Sequence, residues 1–441
     1  MKMFELFLHA LYNYKLGPFY SIKVNNVYKY LRRSPKFSPE EIKLLKFKKL
    51  KKLLIHAYEN VPYYRELMSK VNFNPYDFEE ISQLSKLPPL TKKEVKLNFD
   101  KLQANNFNGK YIEYTTGGST GEPVKILRDV TSIVWTEASY WRGIIDWAGC
   151  KLLDKQVILL TFGTPTPLGK MRQLILNNHV FESFKIDEEL IRKIKRHSPK
   201  CVMSYASNMY EFASLVDKME EKIEIPVILT TGEMLFDYQR KFIEEKLNGK
   251  VYDYYGCNEI GSLAFEFDGK KFVTDEHVIL ESVDEDFNPV PSGIVGKFLL
   301  TDLDNYIMPL IRYENGDLGS ILPPQIRPCN IPNLTLINNL EGRSQEFLLN
   351  KLGKRFSVVH VTSALSSLET VKQYQVIQNN FKEIIFKYVP IMDRINERDK
   401  EIIKKEFEKM LGEGILLKFE RVSKLPKTRR GKSRVVISKV I

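Results

Sequence analysis

Apolar residues in the first hundred positions recur at three- and four-residue intervals, the mark of helices with one buried face. Ile42, Leu44, Leu45, Phe47, Leu50, Leu53 and Leu54 keep that spacing, with lysines between them. Residues 41–52 therefore read as a helix with a solvated basic face. Breaks fall at Pro35, Pro39, Pro62, Pro75 and the pair Pro88 and Pro89. A second helical stretch, 129–148, carries Trp135, Tyr140, Trp141 and Trp147. From 156 to 256 the pattern changes. Short apolar runs at Gln156–Thr161, Cys201–Ser204, Val227–Thr231 and Val251–Tyr255 read as strands. Amphipathic segments at 187–197, 208–222 and 235–248 read as helices between them. That βαβ rhythm predicts a parallel sheet.

Beyond Gly261 the runs shorten and turn residues separate them: Lys271–Thr274, His277–Leu280, Gly296–Thr301 and Gly319–Leu322. This predicts a second, antiparallel sheet. A boundary is expected near Gly342–Gly353. After it come strands near 374–379 and 383–389, a charged helix at 396–411 and a strand at 415–422, a compact α+β unit. Residues 424–434 read as a polar, basic loop. The chain is thus of the α/β class, and its 441 residues suit about two or three domains.

Hydrophobic content of 43% and charged content of 28% are ordinary for a globular protein, so composition narrows nothing by itself. The net charge of +12 fits a nucleic acid, an anionic membrane surface or a phosphate-rich ligand. No nucleic-acid motif accompanies it. The four cysteines stand far apart and form no CxxC pair, which removes a structural zinc site and suits a reducing cytoplasm. The six histidines form no HxxxH pair. The start of the chain is apolar but interrupted. It is too short to span a bilayer and lacks a small-residue cleavage site. A helix touching a membrane surface and one docked on the protein itself both fit it.

Candidate chemistry begins with Tyr114–Pro123, which packs Gly117, Gly118 and Gly121 among Thr115, Thr116, Ser119 and Thr120. Such a loop can turn backbone N–H groups and hydroxyls onto polyphosphate oxygens. It is no Walker loop, because no Gly-Lys-Ser/Thr ends it. Four further segments follow: Thr230–Met234, Tyr254–Glu259, Arg312–Asp317, and Glu341–Glu346 with the late pair Gly431 and Lys432. Each alone also suits a plain turn or a solvated charge.

In this order the segments resemble the adenylate-forming superfamily of acyl-CoA synthetases and ligases, nearest its phenylacetate–coenzyme A ligase-like group. His56–Arg65 and Leu87–Lys92 resemble that group's leader. Phe347–Ser357 and Leu425–Lys432 look more like the branch associated with capsular polysaccharide biosynthesis, the CapK-like branch. The resemblance implies a large amino-terminal domain with parallel-rich sheets and an antiparallel subdomain, and a small mobile α+β carboxy-terminal lid. Its divisions would be 1–100 (leader), 101–345 (nucleotide- and acid-binding core) and 346–441 (lid).

The implied reaction joins a carboxylic acid to the α-phosphorus of ATP, releases pyrophosphate and passes the acyl group to coenzyme A or an amine. Thr115, Thr116, Gly117, Gly118, Ser119, Thr120 and Gly121 would hold the phosphates. Asn258, where the family usually has Thr or Ser, would contact the α-phosphate. Glu259 matches the Mg²⁺ carboxylate. Thr231, Gly232, Glu233, Tyr254, Tyr255 and Gly256 match the adenine wall, Asp317 the ribose acceptor and Arg343 a ribose or phosphate contact. Glu346 matches the hinge, and Lys432 the catalytic lysine. Lys125 suits either the phosphates or the surface.

The acid is not legible. Trp135, Tyr140, Trp141, Phe162 and Tyr205 fit either an acid pocket or the core. An aryl acid forming a thioester, and an acid or sugar in polysaccharide assembly, both fit as substrates. A nucleotide-binding protein without turnover, and a basic nucleic-acid-binding protein, are the other classes carried forward. A cytoplasmic location is expected.

Overall fold

The structure, a computed structural model, describes residues 19–115, 124–151, 153–160, 177–181, 186–328, 331–343, 346–365, 367–426 and 433–440. The leader is helical where the spacing predicts: α1 (Tyr20–Leu31), α2 (Pro39–Asn60), α3 (Pro62–Lys70) and α4 (Lys92–Leu97). A capping box starts α2: Glu41 N donates to the Ser38 hydroxyl at 3.1 Å, and Ser38 N donates to the Glu41 carboxylate at 2.7 Å. Pro62 ends it by opening α3. Leu50, Leu53, Leu54 and Ala57 face the core.

The basic face of α2 is solvated at Lys43, Lys48 and Lys52, as expected, but not at Lys46 and Lys49. Lys49 Nζ lies 2.6 Å from Asp304 Oδ2 and donates to the Glu276 carbonyl at 2.6 Å. Lys46 pairs with Asp275. Asp275, Glu276, His277 and Asp302 are fully buried. Buried carboxylates need counter-charge: Lys46 and Lys49 supply it to Asp275 and Asp304, and Arg142 to Glu276.

Further backbone contacts sew the leader to the core. Leu90 N donates to the Arg312 carbonyl, Glu314 N to the Leu90 carbonyl and Ala104 N to the Ile307 carbonyl. Arg312 is 1% exposed and donates to Glu281 and to the carbonyls of Ser85, Leu87 and Phe287. Its segment stood out in the sequence; the side chain is a strap between leader and core.

β1 (Tyr111–Thr115) and β2 (Lys125–Asp129) form an antiparallel ribbon. Asp129 caps α5 (Val130–Trp141), which runs on as a π-helical turn, Arg142–Trp147. Then come β3 (Gln156–Leu159), β4 (Asn178–Phe181), α6 (Glu188–His197), β5 (Cys201–Ser204), α7 (Ala206–Lys218), β6 (Val227–Thr231), α8 (Asp237–Leu247) and β7 (Lys250–Cys257). All the pairings from β3 to β7 are parallel.

β8 (Gly261–Phe267), β9 (Lys270–Val273), β10 (Val278–Val283), β11 (Gly296–Asp302), β12 (Tyr313–Leu322) and β13 (Leu336–Arg343) pair antiparallel. They do not form the separate sheet that the pattern predicts. β8 folds back on β7, so one eleven-stranded sheet runs β10-β11-β12-β13-β9-β8-β7-β6-β5-β3-β4. The free edge of β7 takes the returning strand and is satisfied by it.

The carboxy-terminal part holds the hairpin β14 (Phe347–Leu349) and β15 (Arg355–Ser357), then α9 (Val358–Ala364). Its four-stranded sheet is ordered β18 (Leu416–Arg421), β17 (Glu383–Pro390), β16 (Val371–Gln378), β19 (Val436–Ser438). α10 (Glu397–Leu411) contributes Ile403, Phe407 and Met410 to a core shared with Phe386 and Val376. Phe236, from the segment entering α8, packs against that core. No helix among the described residues is long and apolar enough to cross a membrane.

Candidate active site

The carboxyl ends of β6 and β7 lie side by side, where parallel strands leave a crevice for ligands. β6 ends at Thr231. Gly232 takes φ +74°, a conformation that suits glycine, and turns the chain sharply. Half-buried Glu233 then faces the start of α7: its Oε2 accepts from Ser207 N at 3.0 Å. That N–H is one of the donors a helix amino terminus leaves unused. The other oxygen, Oε1, accepts from Ser433 N at 2.5 Å. The residue after Lys432 is thus held on the Thr231–Glu233 segment, 200 positions away in sequence.

β7 carries Tyr254, Tyr255 and Gly256 toward the turn at 258–260. Neighbouring strand residues point to opposite faces. Tyr254 packs edge-on to Tyr140 and tilted against Phe265, while Tyr255 leans toward Phe298. One purine cannot lie against both rings. Tyr255 donates instead to Asp317 Oδ2 at 2.6 Å. Burial first, then the Asp317 carboxylate, raises its phenol well above the usual range and keeps it a donor. Asn315 Nδ2 donates to the same Asp317 oxygen at 2.6 Å, and Asp317 N to Asn315 Oδ1 at 3.0 Å. Asp317 is therefore a fixed acceptor in β12. Opposite it, in register, is the backbone of Arg343 in β13.

Within the 258–260 turn Asn258 is exposed and Glu259 is 6% exposed. Tyr313 donates to Glu259 Oε1 at 3.0 Å. Burial and the Glu259 carboxylate push the Tyr313 phenol up, so it too stays a donor. Oε2 of Glu259 makes no hydrogen bond among the described residues. A buried, anchored carboxylate with one open oxygen fits a hard cation such as Mg²⁺.

The β1–β2 ribbon pairs Thr115 with Lys125 and so brackets the glycine-rich loop. Thr116, Gly117, Gly118, Ser119, Thr120 and Gly121 lie outside the described residues. Thr115 is exposed, and Lys125 makes a surface pair with Glu113 at 3.2 Å. The ribbon is tied to the Glu259 turn through Arg128, which donates to Thr136 Oγ1 at 2.5 Å, and Thr136, which donates to the Ile260 carbonyl at 3.1 Å. Lys432 also lies outside the described residues. Glu346 pairs with Arg434 Nε at 3.1 Å, which ties the expected hinge position to the segment just after Lys432.

Trp141 is 2% exposed and meets Tyr28 edge-on, while Trp135 stacks on His277 and lies under Lys49. Both belong to the core. Tyr205 is 8% exposed and precedes α7, and Phe162 lies outside the described residues. Sequence reasoning missed Tyr313, Asn315 and Arg128. The first two were legible by alternation, since 313, 315 and 317 share one face of a strand.

Residues 348–439 match the family model of the CapK C-terminal domain. The phenylacetate–coenzyme A ligase of Escherichia coli (strain K12) is 28% identical over 341 residues, covering 71% of this chain and 73% of its own. Protein CapK of Staphylococcus aureus is 24% identical over 421 residues, covering 87% and 86%. The crystal structure of 2-hydroxyisobutyryl-CoA ligase in the postadenylation state, with R3-HIB-AMP, superposes at TM-score 0.72 over 92% of each chain, at 16% identity. That likeness concerns the fold. The chain is thus similar over most of its length to phenylacetate–coenzyme A ligases and to Protein CapK, and it shares the fold of 2-hydroxyisobutyryl-CoA ligase.

Proposed function

We propose that this protein is an ATP-dependent ligase. It activates a carboxylic acid as an acyl-adenylate with release of pyrophosphate, then transfers the acyl group to coenzyme A. The observation that carries the reading is the Glu233–Ser433 hydrogen bond, which seats the chain beside Lys432 next to the crevice at β6 and β7. Glu259, in the turn after β7, and Asp317, in β12, are linked to that region through Tyr313 and Tyr255.

Each group has a distinct task. Asp317, held by Tyr255 and Asn315, accepts hydrogen bonds from the ribose hydroxyls. Thr231, Gly232 and Glu233 wall the adenine, and Arg343 faces ribose or phosphate. Thr115–Gly121 and Asn258 hold the phosphate oxygens. Glu259 would hold Mg²⁺, whose charge would offset that of the phosphates. Lys432 places its ammonium between the incoming carboxylate and the α-phosphate, where two anions must meet. Glu346 marks the hinge between 1–345 and the lid 346–441. Rotation there withdraws Lys432 and admits the acceptor.

Lys432→Ala tests the reading. Pyrophosphate release should fall roughly 10²–10³-fold, the loss typical of one transition-state donor, while ATP still binds. Release at the original rate would remove Lys432 from catalysis. An amine is the second acceptor class that the same adenylate would acylate. Trapping the adenylate with hydroxylamine, then offering coenzyme A and amines separately, distinguishes the two.

A further inference from the structure

The inner side of α1 is used by the fold. Tyr20, Val24, Tyr28 and Leu31 share a core with Ile133, Val134, Ala138 and Trp141 of α5. That packing fixes the rotation of the helix and holds its other side outward. At about 3.6 residues per turn, Phe19, Ile22, Lys23, Asn26, Lys29 and Arg33 fall on the outer side. All six are exposed, Phe19 by 66% and Ile22 by 49%. Lys23, Lys29 and Arg33 make no ion pair among the described residues, whereas neighbouring Arg32 pairs with Asp146 at 3.1 Å. No acidic residue stands between Glu5 and Glu40 in the sequence.

Exposed apolar side chains are ordinary when they stand singly. Here two lie one turn apart among unpaired cations. The combination matches the boundary between water and anionic lipid, where apolar side chains enter the acyl layer and cations meet headgroup phosphates. Other occupants match it less well. Residues 1–18 lead into this face and are apolar at most positions, but their charges are Lys2, Glu5 and Lys15. Folded back on α1, they would bring one acid and two more cations to a face that already holds three. A second copy of the same face would set like charge against like. A nucleic acid offers phosphates to the cations but no apolar layer to Ile22.

We propose that the outer side of α1 docks the protein on an anionic lipid surface, with Phe19 and Ile22 inserted and Lys23, Lys29 and Arg33 against the headgroups. Residues 1–18 join this face at Phe19 and bring further apolar side chains to it. The contact is peripheral: no helix among the described residues is long and apolar enough to cross a membrane. It is independent of the ligase reading.

The test is cosedimentation of the full chain with vesicles of phosphatidylcholine alone, or with about 30% phosphatidylglycerol. The wild type should bind the anionic vesicles roughly 10²-fold more tightly, the effect of three cations at such a surface, and release them at about 0.5 M salt. K23Q/K29Q/R33Q should lose that factor. F19S/I22S should bind roughly 10–100-fold more weakly, through lost apolar burial. K200Q/K218Q/K222Q removes the same charge from exposed lysines elsewhere and should bind like the wild type. Failure of the wild type to bind anionic vesicles overturns the proposal, as does equal binding to both kinds. So does binding of an oligonucleotide with vesicles ignored. An equal loss in K200Q/K218Q/K222Q would assign the attraction to net charge and overturn it too, as would wild-type binding by both α1 variants. If one variant melts early, the others and the lipid dependence of the wild type decide.

Discussion

Replacing Glu233 by Gln isolates the contact that seats the segment at Ser433 on the turn after β6. The carboxylate accepts from Ser207 N at 3.0 Å with one oxygen and from Ser433 N at 2.5 Å with the other. Glutamine offers one acceptor oxygen and one NH₂ of the same shape. The first turn of α7 carries positive partial charge, so it keeps the oxygen. The NH₂ then faces Ser433 N, donor against donor. One charge-assisted hydrogen bond is lost, worth about 1.5–3 kcal/mol. At about 1.4 kcal/mol per tenfold, the seated arrangement weakens roughly 10–150-fold. Adenylation, read by ATP–pyrophosphate exchange, should fall by that factor. Thioester formation from a synthetic acyl-adenylate should stay near wild type, because the rotation proposed above breaks this contact. If both half-reactions fall together, or neither changes, Glu233 does not act through Ser433.

Asp317→Asn should raise KM for ATP more than it lowers kcat, if the proposed role of Asp317 as ribose acceptor holds; steady-state kinetics decides. Lys49→Met leaves Asp304 buried without its direct cation and should cost about 3–5 kcal/mol in urea unfolding. Gly143→Ala would bring a Cβ to 2.2 Å from the Phe265 ring, an overpacking worth about 1–3 kcal/mol in the same assay. His197 is held below the usual histidine range, by burial first and by His179 next. A depressed folded-state value adds stability above about pH 6.5 that is lost as pH falls through the lower value. Melting temperatures should therefore drop less from pH 7.5 to 5 in His197→Gln than in the wild type.

Helix and strand order was legible because burial imposes a period of 3.6 or 2 on the chain wherever an element has one wet face. The predicted segments 187–197, 227–231 and 383–389 fall on α6, β6 and β17 within a residue or two at each end. The union of the two expected sheets was not legible. A strand edge does not record in its own residues which neighbour it takes. The inward turn of Lys46 and Lys49 was equally hidden, since their acidic partners at 275 and 304 follow more than two hundred positions later.

By itself the sequence determined the element types, the ordered motifs and hence the resemblance to the superfamily, because local periodicity and residue chemistry survive without knowledge of distant contacts. Tertiary structure alone decided that Glu233 bridges α7 and Ser433, that Asp317 is locked by Tyr255 and Asn315, and that buried Arg128 ties β2 to Ser132 and Thr136. Those are consequences of desolvation and hydrogen-bond geometry between remote segments, which exist only once the chain has closed on itself.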